Sequence, residues 1–454
     1  MSVSATPRFY ALVWRWHFYA GLLVIPVMLM LAITGSIYLF KPQLDALMYP
    51  HLMQVRPAQH RVSADAMQAG IAAQYPAMTL KKYLPPPATD RSAQFQIALA
   101  DGASRTVFVD PYRNVILGVQ DPDWTLQGAA VLLHGELMMG TWGDLLVELS
   151  ASWAVLLVIS GLYMWWPRKQ GRWGVFLPRL RAGKRVFWRD LHVVGGFWSS
   201  VLLLFLLLTG LPWTGFWGEK FANVWGQYPV HLWDQPPAST QSARVLNTTL
   251  DKTVPWALEP VPLPESDAHA HHQAASAGVV NPRFTLAQVE TLAVKLGLLA
   301  AYTITAPKGD TGVYTLAALV DDPALQRTYH VDQYSGRVLA KIAYADYGLI
   351  PKTVEYGISI HEGKLFGLAN QLLMLSVCLM LMMTCITGIV MWWKRRPTGE
   401  LGAPKTPLSI LRWKKGLAVL VGMALFLPTV LASIIVLMLL DWAVLKRWSK
   451  VAAS

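Results

Sequence analysis

Residues 189–213 read RDLHVVGGFWSSVLLLFLLLTGLPW, and residues 15–35 read RWHFYAGLLVIPVMLMLAITG. The two stretches carry the same marks, at the same intervals from the histidine on. Each opens on an arginine and a histidine (Arg189 and His192, Arg15 and His17). Each has a glycine four residues past the histidine (Gly196, Gly21) and closes its apolar run on Thr-Gly (Thr209-Gly210, Thr34-Gly35). Histidine and closing glycine are 18 residues apart in both. As a helix that is ~27 Å at 1.5 Å per residue, close to a hydrocarbon core of ~30 Å.

A second matched pair lies between and after them. His134 and His361 are each followed by a glycine six residues on (Gly140, Gly367), by Ser160-Gly161 or Thr387-Gly388 with the glycine 27 residues on, and by Trp165-Trp166 or Trp392-Trp393. The chain is therefore a duplication, with His17 matching His192 and His134 matching His361.

Composition agrees with a membrane setting. Of 454 residues, 54% are hydrophobic and 15% charged, far from a soluble enzyme. The net charge of +12 does not point to nucleic acid, because 167–190 and 394–415 together carry all of it. Both are short loops between apolar runs, so the positive-inside rule puts them, and the N-terminus, in the cytoplasm. The chain then divides into transmembrane segments at 1–40, 134–166, 191–213, 361–393 and 416–440, basic cytoplasmic loops at 167–190 and 394–415, and external regions at 41–133 and 214–360. The C-terminal tail would then lie outside, against the sign of Lys446, Arg447 and Lys450. The first segment has basic flanks but no small-residue cleavage site, and reads as an uncleaved anchor. Cys378 and Cys385 are seven residues apart on one segment, too far for a mutual disulfide, and read as packing residues.

One histidine at a helix end is usually interfacial. Four at matched ends of four helices are a different signal, because ionisable groups at membrane depth are costly and usually functional. Neutral imidazole is a natural haem-iron ligand. Orientation sorts the four into two layers. His17 and His192 fall at the cytoplasmic level with Gly161 and Gly388. His134 and His361 fall at the external level with Gly35 and Gly210. Each layer thus supplies two axial ligands and two glycines. The glycines, with Gly21 and Gly196 one turn past their histidines, serve either a backbone's close approach to a porphyrin or plain small-residue helix packing. Arg15 and Arg189 are either propionate partners or ordinary positive-inside charge.

The external regions repeat as well. Each has a helical stretch (62–74, 284–298) and then a strand–turn–strand with an aspartate: Val109-Asp110-Pro111-Tyr112-Arg113-Asn114-Val115 against Val331-Asp332-Gln333-Tyr334-Ser335-Gly336-Arg337-Val338. The second half carries an insertion at 214–283. Its first part (Trp217, Phe221, Trp225, Tyr228, Trp233) reads as an amphipathic surface helix and 255–280 as a Pro/Ala/Ser-rich linker. His269, His271 and His272 fall in that linker and read as solvated rather than metal-binding. His51, His60, His231 and His330 have no repeat partner and read as structural or surface residues. No phosphate-cradling loop, flavin or nicotinamide site, or iron–sulfur cysteine cluster is evident.

These motifs have a known counterpart. Arg-Asp-Leu-His at 189–192, His-Glu-Gly at 361–363 with Gly367, Met-Trp-Trp after the second and fourth segments, and Val-Asp-x-Tyr-x-Gly-x-Val-Leu at 331–339 resemble the PepSY-associated transmembrane family across essentially the whole chain. The first external turn departs from that pattern at Arg113-Asn114. The resemblance implies a bacterial inner-membrane protein, mainly α: a duplicated four-helix transmembrane bundle plus one flanking helix, with two small periplasmic α+β modules. It also implies iron uptake. Some relatives are ferric-siderophore reductases, ferrioxamine reductase among them, with two b-type haems, and His17, His192, His134 and His361 map onto their ligand positions. The expected partners are lipid, a ferric siderophore and a separate electron donor (quinol or a cytoplasmic reductase), with no nucleic acid. The alternatives are a siderophore or haem carrier, since duplicated halves are common in transporters, and a membrane-anchored PepSY regulatory or binding protein.

Overall fold

A computed structural model describes residues 8–166, 172–218, 240–266, 283–298, 301–318, 320–396, 422, 426–436 and 439. The chain forms two compact units. One is Met1–Ser36, Leu133–Ala222 and Leu372–Ser454; the other is Ile37–Leu132 and Asn223–Gln371.

The first unit is helical. Among the described residues, four helices are long and apolar enough to cross a membrane: Val13–Leu39, Thr141–Trp165, Lys184–Trp213 and Gly367–Arg395. They belong to α1 (Arg8–Leu39), α5 (Thr141–Trp165), α6 (Lys184–Gly210) and α9 (Gly367–Arg395). Their shared core is apolar, with Val24, Met28, Ala154, Leu156 and Leu207 buried together. The expected fifth segment, 416–440, lies partly outside the described residues. Residues 428–436 are helical and packed on α5, where Trp153 Nε1 donates to Ser433 Oγ and Thr429 Oγ1 to Ser152 Oγ.

The second and fourth segments differ from the expected 134–166 and 361–393. His134 lies inside a separate helix, α4 (Leu126–Glu136), and His361 is the last residue of α8 (Leu349–His361). A turn follows each before the apolar helix starts. Gly140 and Gly367 both sit at φ +56°, and Gly363 at +73°. Leu137 and Met138, at φ 53° and 55°, take the same left-handed backbone without being glycine, a strain of order 1 kcal/mol each. The six-residue spacing from histidine to glycine is thus the length of this break.

The second unit only partly fits the expectation of a mainly α chain with two small α+β modules, one per half. Both modules contribute to one antiparallel eight-stranded sheet, ordered β4-β3-β2-β1-β5-β6-β7-β8. The first four strands are β1 (Thr79–Leu84), β2 (Ala93–Ala98), β3 (Ser104–Asp110) and β4 (Val115–Gln120). The others are β5 (Thr303–Thr305), β6 (Val313–Ala318), β7 (Arg327–Asp332) and β8 (Val338–Ala343). The modules join where Lys82 pairs with Thr305 and Tyr83 with Ile304. Joining edges in this way leaves fewer strand edges unpaired. Alternating apolar side chains (Tyr83, Phe95, Ile97, Val107, Ile304, Leu316, Tyr329, Val331) bury against α3 (Ala64–Gln74) and α7 (Leu286–Lys295). Ser63 caps α3, and Thr285 with Gln288 forms a capping box on α7. Asp65 of α3 accepts the Ala287 N–H of α7 at 3.0 Å, tying one repeat to the other.

The two aspartate turns fold alike. Asp110 Oδ1 accepts from the N–H groups of Tyr112 and Arg113, and Asp332 Oδ1 from those of Tyr334 and Ser335. Asn114 (φ 53°) holds the left-handed position that Gly336 (φ 70°) holds in the second repeat. The departure at Arg113-Asn114 therefore keeps the backbone.

Residues 255–266 are not a linker. Trp256, Ala257 and Leu258 are buried, and Ala257 N–H donates to Glu355 Oε1 on α8. Apolar side chains hidden in a Pro-rich stretch explain the difference. The rest of the expected linker with His269, His271 and His272, and Phe221, Trp225, Tyr228, His231 and Trp233 of the expected surface helix, lie outside the described residues.

Candidate functional site: histidines gripped by Ser/Thr-Gly pairs

His17 stands near the start of α1, and its Nδ1 is 2.8 Å from Ser160 Oγ near the end of α5. Ser160 Oγ also donates to Leu156 O at 2.7 Å. A hydroxyl has one proton. When that proton goes to a backbone carbonyl, Ser160 accepts from His17, Nδ1 carries the ring proton and Nε2 keeps its lone pair. His192 repeats the arrangement. Its Nδ1 lies 3.0 Å from Thr384 O, an obligate acceptor, and 3.2 Å from Thr387 Oγ1, which donates to Met383 O at 2.8 Å. His134 does the same, with Nδ1 3.0 Å from Thr34 Oγ1 and that hydroxyl donating to Met30 O at 2.8 Å. Thr209, the fourth such residue, donates to Phe205 O at 2.8 Å in the same helical geometry.

The glycines beside these hydroxyls make room for imidazole. A Cβ at Gly35 would stand 3.3 Å from His134 Cε1. At Gly161 it would be 3.4 Å from His17 Cε1, and at Gly388 3.5 Å from His192 Cε1. Those three glycines therefore face a histidine ring, where the sequence leaves a porphyrin or a neighbouring helix open. Gly21 and Gly196 differ. A Cβ at Gly21 meets nothing nearer than 4.0 Å, and at Gly196 nothing within 4 Å. They leave the space one turn past each histidine clear. Gly210 is the last residue of α6.

The rings of His17 and His192 have centroids 6.4 Å apart and planes at 86°. An iron holding one nitrogen of each ring at about 2.0 Å would set the centroids roughly 6.3 Å apart. Among the described residues no three His, Cys, Asp or Glu side chains gather into a metal cluster. The donor set suits an ion that brings its own equatorial ligands, as haem iron does. With Nδ1 held, Nε2 free and clear space beside Gly21 and Gly196, these residues fit a haem.

The family is decided by extent of match. A family model described as the PepSY-associated TM region matches residues 14–395. The chain belongs to the PepSY-associated transmembrane family. The match covers all four histidines and both sheet repeats of this PepSY-associated protein. No curated protein matches it.

Arg189 is committed to structure. Its Nη2 pairs with Asp190 Oδ1 at 2.7 Å, and the fully buried Asp190 also takes Arg179 Nε at 2.7 Å, Nη2 at 3.0 Å and its backbone N–H at 3.1 Å. The Arg-Asp-Leu-His motif thus fastens the basic loop to the helix that carries His192. Arg15 is half-buried two residues before His17. Of the unpaired histidines, His330 is buried beside Thr315 (3.0 Å) and held down to about 4 by burial, which makes it structural.

Two functional features were missed in the sequence. The hydroxyls of Ser160, Thr34 and Thr387, only spacing marks in the sequence, are each the direct partner of a histidine. Asp144 and Glu148, one turn apart on α5, were overlooked. Asp144 Oδ2 accepts Gly215 N–H at 2.7 Å, and Glu148 Oε2 accepts the N–H groups of Phe216 and Trp217 at 3.0 and 2.9 Å. The pair satisfies the helical N–H groups that follow α6. Two acids in an apolar segment were the available signal.

Proposed function

We propose that this PepSY-associated protein is a di-haem reductase of the bacterial inner membrane. His17 and His192 hold one b-type haem toward the cytoplasm, and His134 and His361 hold the other toward the periplasm. Electrons come from quinol or a cytoplasmic reductase, and a periplasmic ferric siderophore receives them. The carrying observation is the shared setting of His17, His192 and His134: each Nδ1 lies against a Ser/Thr hydroxyl, and that of His192 also against a backbone carbonyl, an arrangement that favours Nε2 as the metal-binding nitrogen. Orientation through the second nitrogen is how proteins prepare a histidine for metal.

Bound there, a haem would supply one-electron transfer. The residues do the rest. Ser160, Thr387 and Thr34 fix ring tautomers. Gly21 and Gly196 keep space clear for a flat plate. The apolar core of Val24, Met28, Ala154 and Leu156 excludes water. The basic loops set the orientation in the membrane. Reduction releases iron because Fe(II) is a weaker partner than Fe(III) for hard oxygen chelators. A passive anchor has no use for imidazoles oriented in this way.

The test uses protein purified in detergent with a hydroquinone and a ferric trihydroxamate. Fe(II) captured by a colorimetric chelator, and lost in His134→Ala, supports the reading. Haem-loaded protein that leaves the ferric chelate intact with both a hydroquinone and a strong chemical reductant contradicts it.

A further inference from the structure

Glu355 lies on α8 six residues before His361, with 4% of its surface exposed. Its Oε1 accepts Ala257 N–H at 2.9 Å. Among the described residues no cation pairs with it, because those nearby are committed elsewhere. Lys364 Nζ is 2.5 Å from Glu362 Oε2, and Arg244 Nε is 3.5 Å from Glu259 Oε2. The groups that face Glu355 are Glu259 beyond the 256–258 turn, Glu362 and Lys364 beyond α8, and Tyr347 and Tyr344 before it. The half-buried Lys252 faces Glu259, Glu362 and Asp251.

A carboxyl with one backbone donor, no counter-ion and two carboxylates in view is unfavourable as an anion. Burial first, then Glu362 and Glu259, push it up to about 7, against the opposing Ala257 N–H and Lys364. It is poised where a modest change in nearby charge decides whether it holds a proton. Six residues of helix are ~9 Å of rise, within range of Coulombic coupling in a low-dielectric interior. Nothing in the electron path described above uses this group.

We propose that Glu355 is the proton acceptor coupled to the outer redox centre. As one electron arrives from a hydroquinone or an electrode at the haem that His361 would hold, Glu355 takes one proton from solution, and the buried charge is unchanged. On oxidation it returns the proton. This rests on the di-haem reading.

The experiment is potentiometric titration of the full-length, haem-loaded protein from about pH 5.5 to pH 8.5. The midpoint of the haem that disappears in His134→Ala should fall with rising pH, approaching 59 mV per tenfold change in proton concentration for one electron. The other haem should show a flatter profile. Glu355→Gln should flatten the first slope, and Glu355→Asp should keep it. An equal slope in wild type and Glu355→Gln overturns the proposal. Should Glu355→Gln fail to load haem, reduced-minus-oxidised infrared spectra of the wild type decide. A protonated-carboxyl band that appears on reduction and shifts in D2O supports the proposal, and its absence overturns it. A chain with no haem defeats the underlying reading, whereas two haems with pH-independent potentials defeat this inference alone.

Discussion

Thr34 Oγ1 lies 3.0 Å from His134 Nδ1 while donating its own proton to Met30 O. One hydroxyl thus links the end of the first membrane helix to a histidine a hundred residues later and can accept that histidine's Nδ1 proton. Thr34→Val keeps the shape and removes the acceptor. The expected result is ~10–100-fold weaker retention of one haem only, with Thr34→Ser near wild type, read by haem-to-protein ratio after dilution. Equal retention in Thr34→Val would mean the hydroxyl does not orient the ligand.

The glycines fall into two classes that separate by substitution. Gly35→Val drives a side chain into His134, whose Cε1 is 3.3 Å from the first added carbon. Strain of about 1–3 kcal/mol is expected, measurable as a lower Tm even without haem. Gly196→Leu enters clear space, so the haem-free protein should keep its Tm while the haem of His17 and His192 is lost. Haem loading and thermal unfolding of both forms check the pair.

Asp190 is fully buried, with Arg179 and Arg189 as partners. Asp190→Asn keeps the size and removes the charge. About 1–3 kcal/mol of stability should go, reduced from the value for a fully buried pair because both arginines are partly exposed. Among the haems, only the one held by His192 should become labile, visible as spectral loss on mild heating. Lability of the other haem instead would contradict the placement.

Glu355 also makes a stability prediction. Its folded value, about 7, is raised above the ordinary carboxylate value of 4.5. The folded state then binds the proton more tightly than the unfolded chain. The stabilisation is fully present below about pH 4.5 and is lost as pH rises through 7, on the order of 3 kcal/mol. Glu355→Gln should therefore raise Tm relative to wild type at pH 8 and not at pH 5. A pH-independent difference would remove Glu355 as the titrating group.

Much of this was legible as spacing. His17 with Gly161, His192 with Gly388 and His134 with Gly35 follow from the matched intervals and a helical rise of 1.5 Å. The helical stretches of both modules, and their aspartate turns, follow from local patterning. The breaks after His134 and His361 were hidden because Leu137, Met138 and Met139 stay apolar through a turn, and hydropathy does not report φ. The single sheet was hidden because the β1–β5 contact joins Tyr83 to Ile304 across more than two hundred residues, and no local pattern says which edge strand finds which. Trp256 and Leu258 were masked by the prolines around them. The role of the Ser/Thr hydroxyls needed side-chain geometry, since a serine beside a glycine has many uses.

The most direct measurement is a reduced-minus-oxidised optical spectrum of the purified chain with a haem count. The account predicts two low-spin bis-imidazole b-haems. One should be lost in both His17→Ala and His192→Ala, the other in both His134→Ala and His361→Ala. A chain that purifies folded without haem, or variants in which His17 and His192 affect different haems, would contradict it.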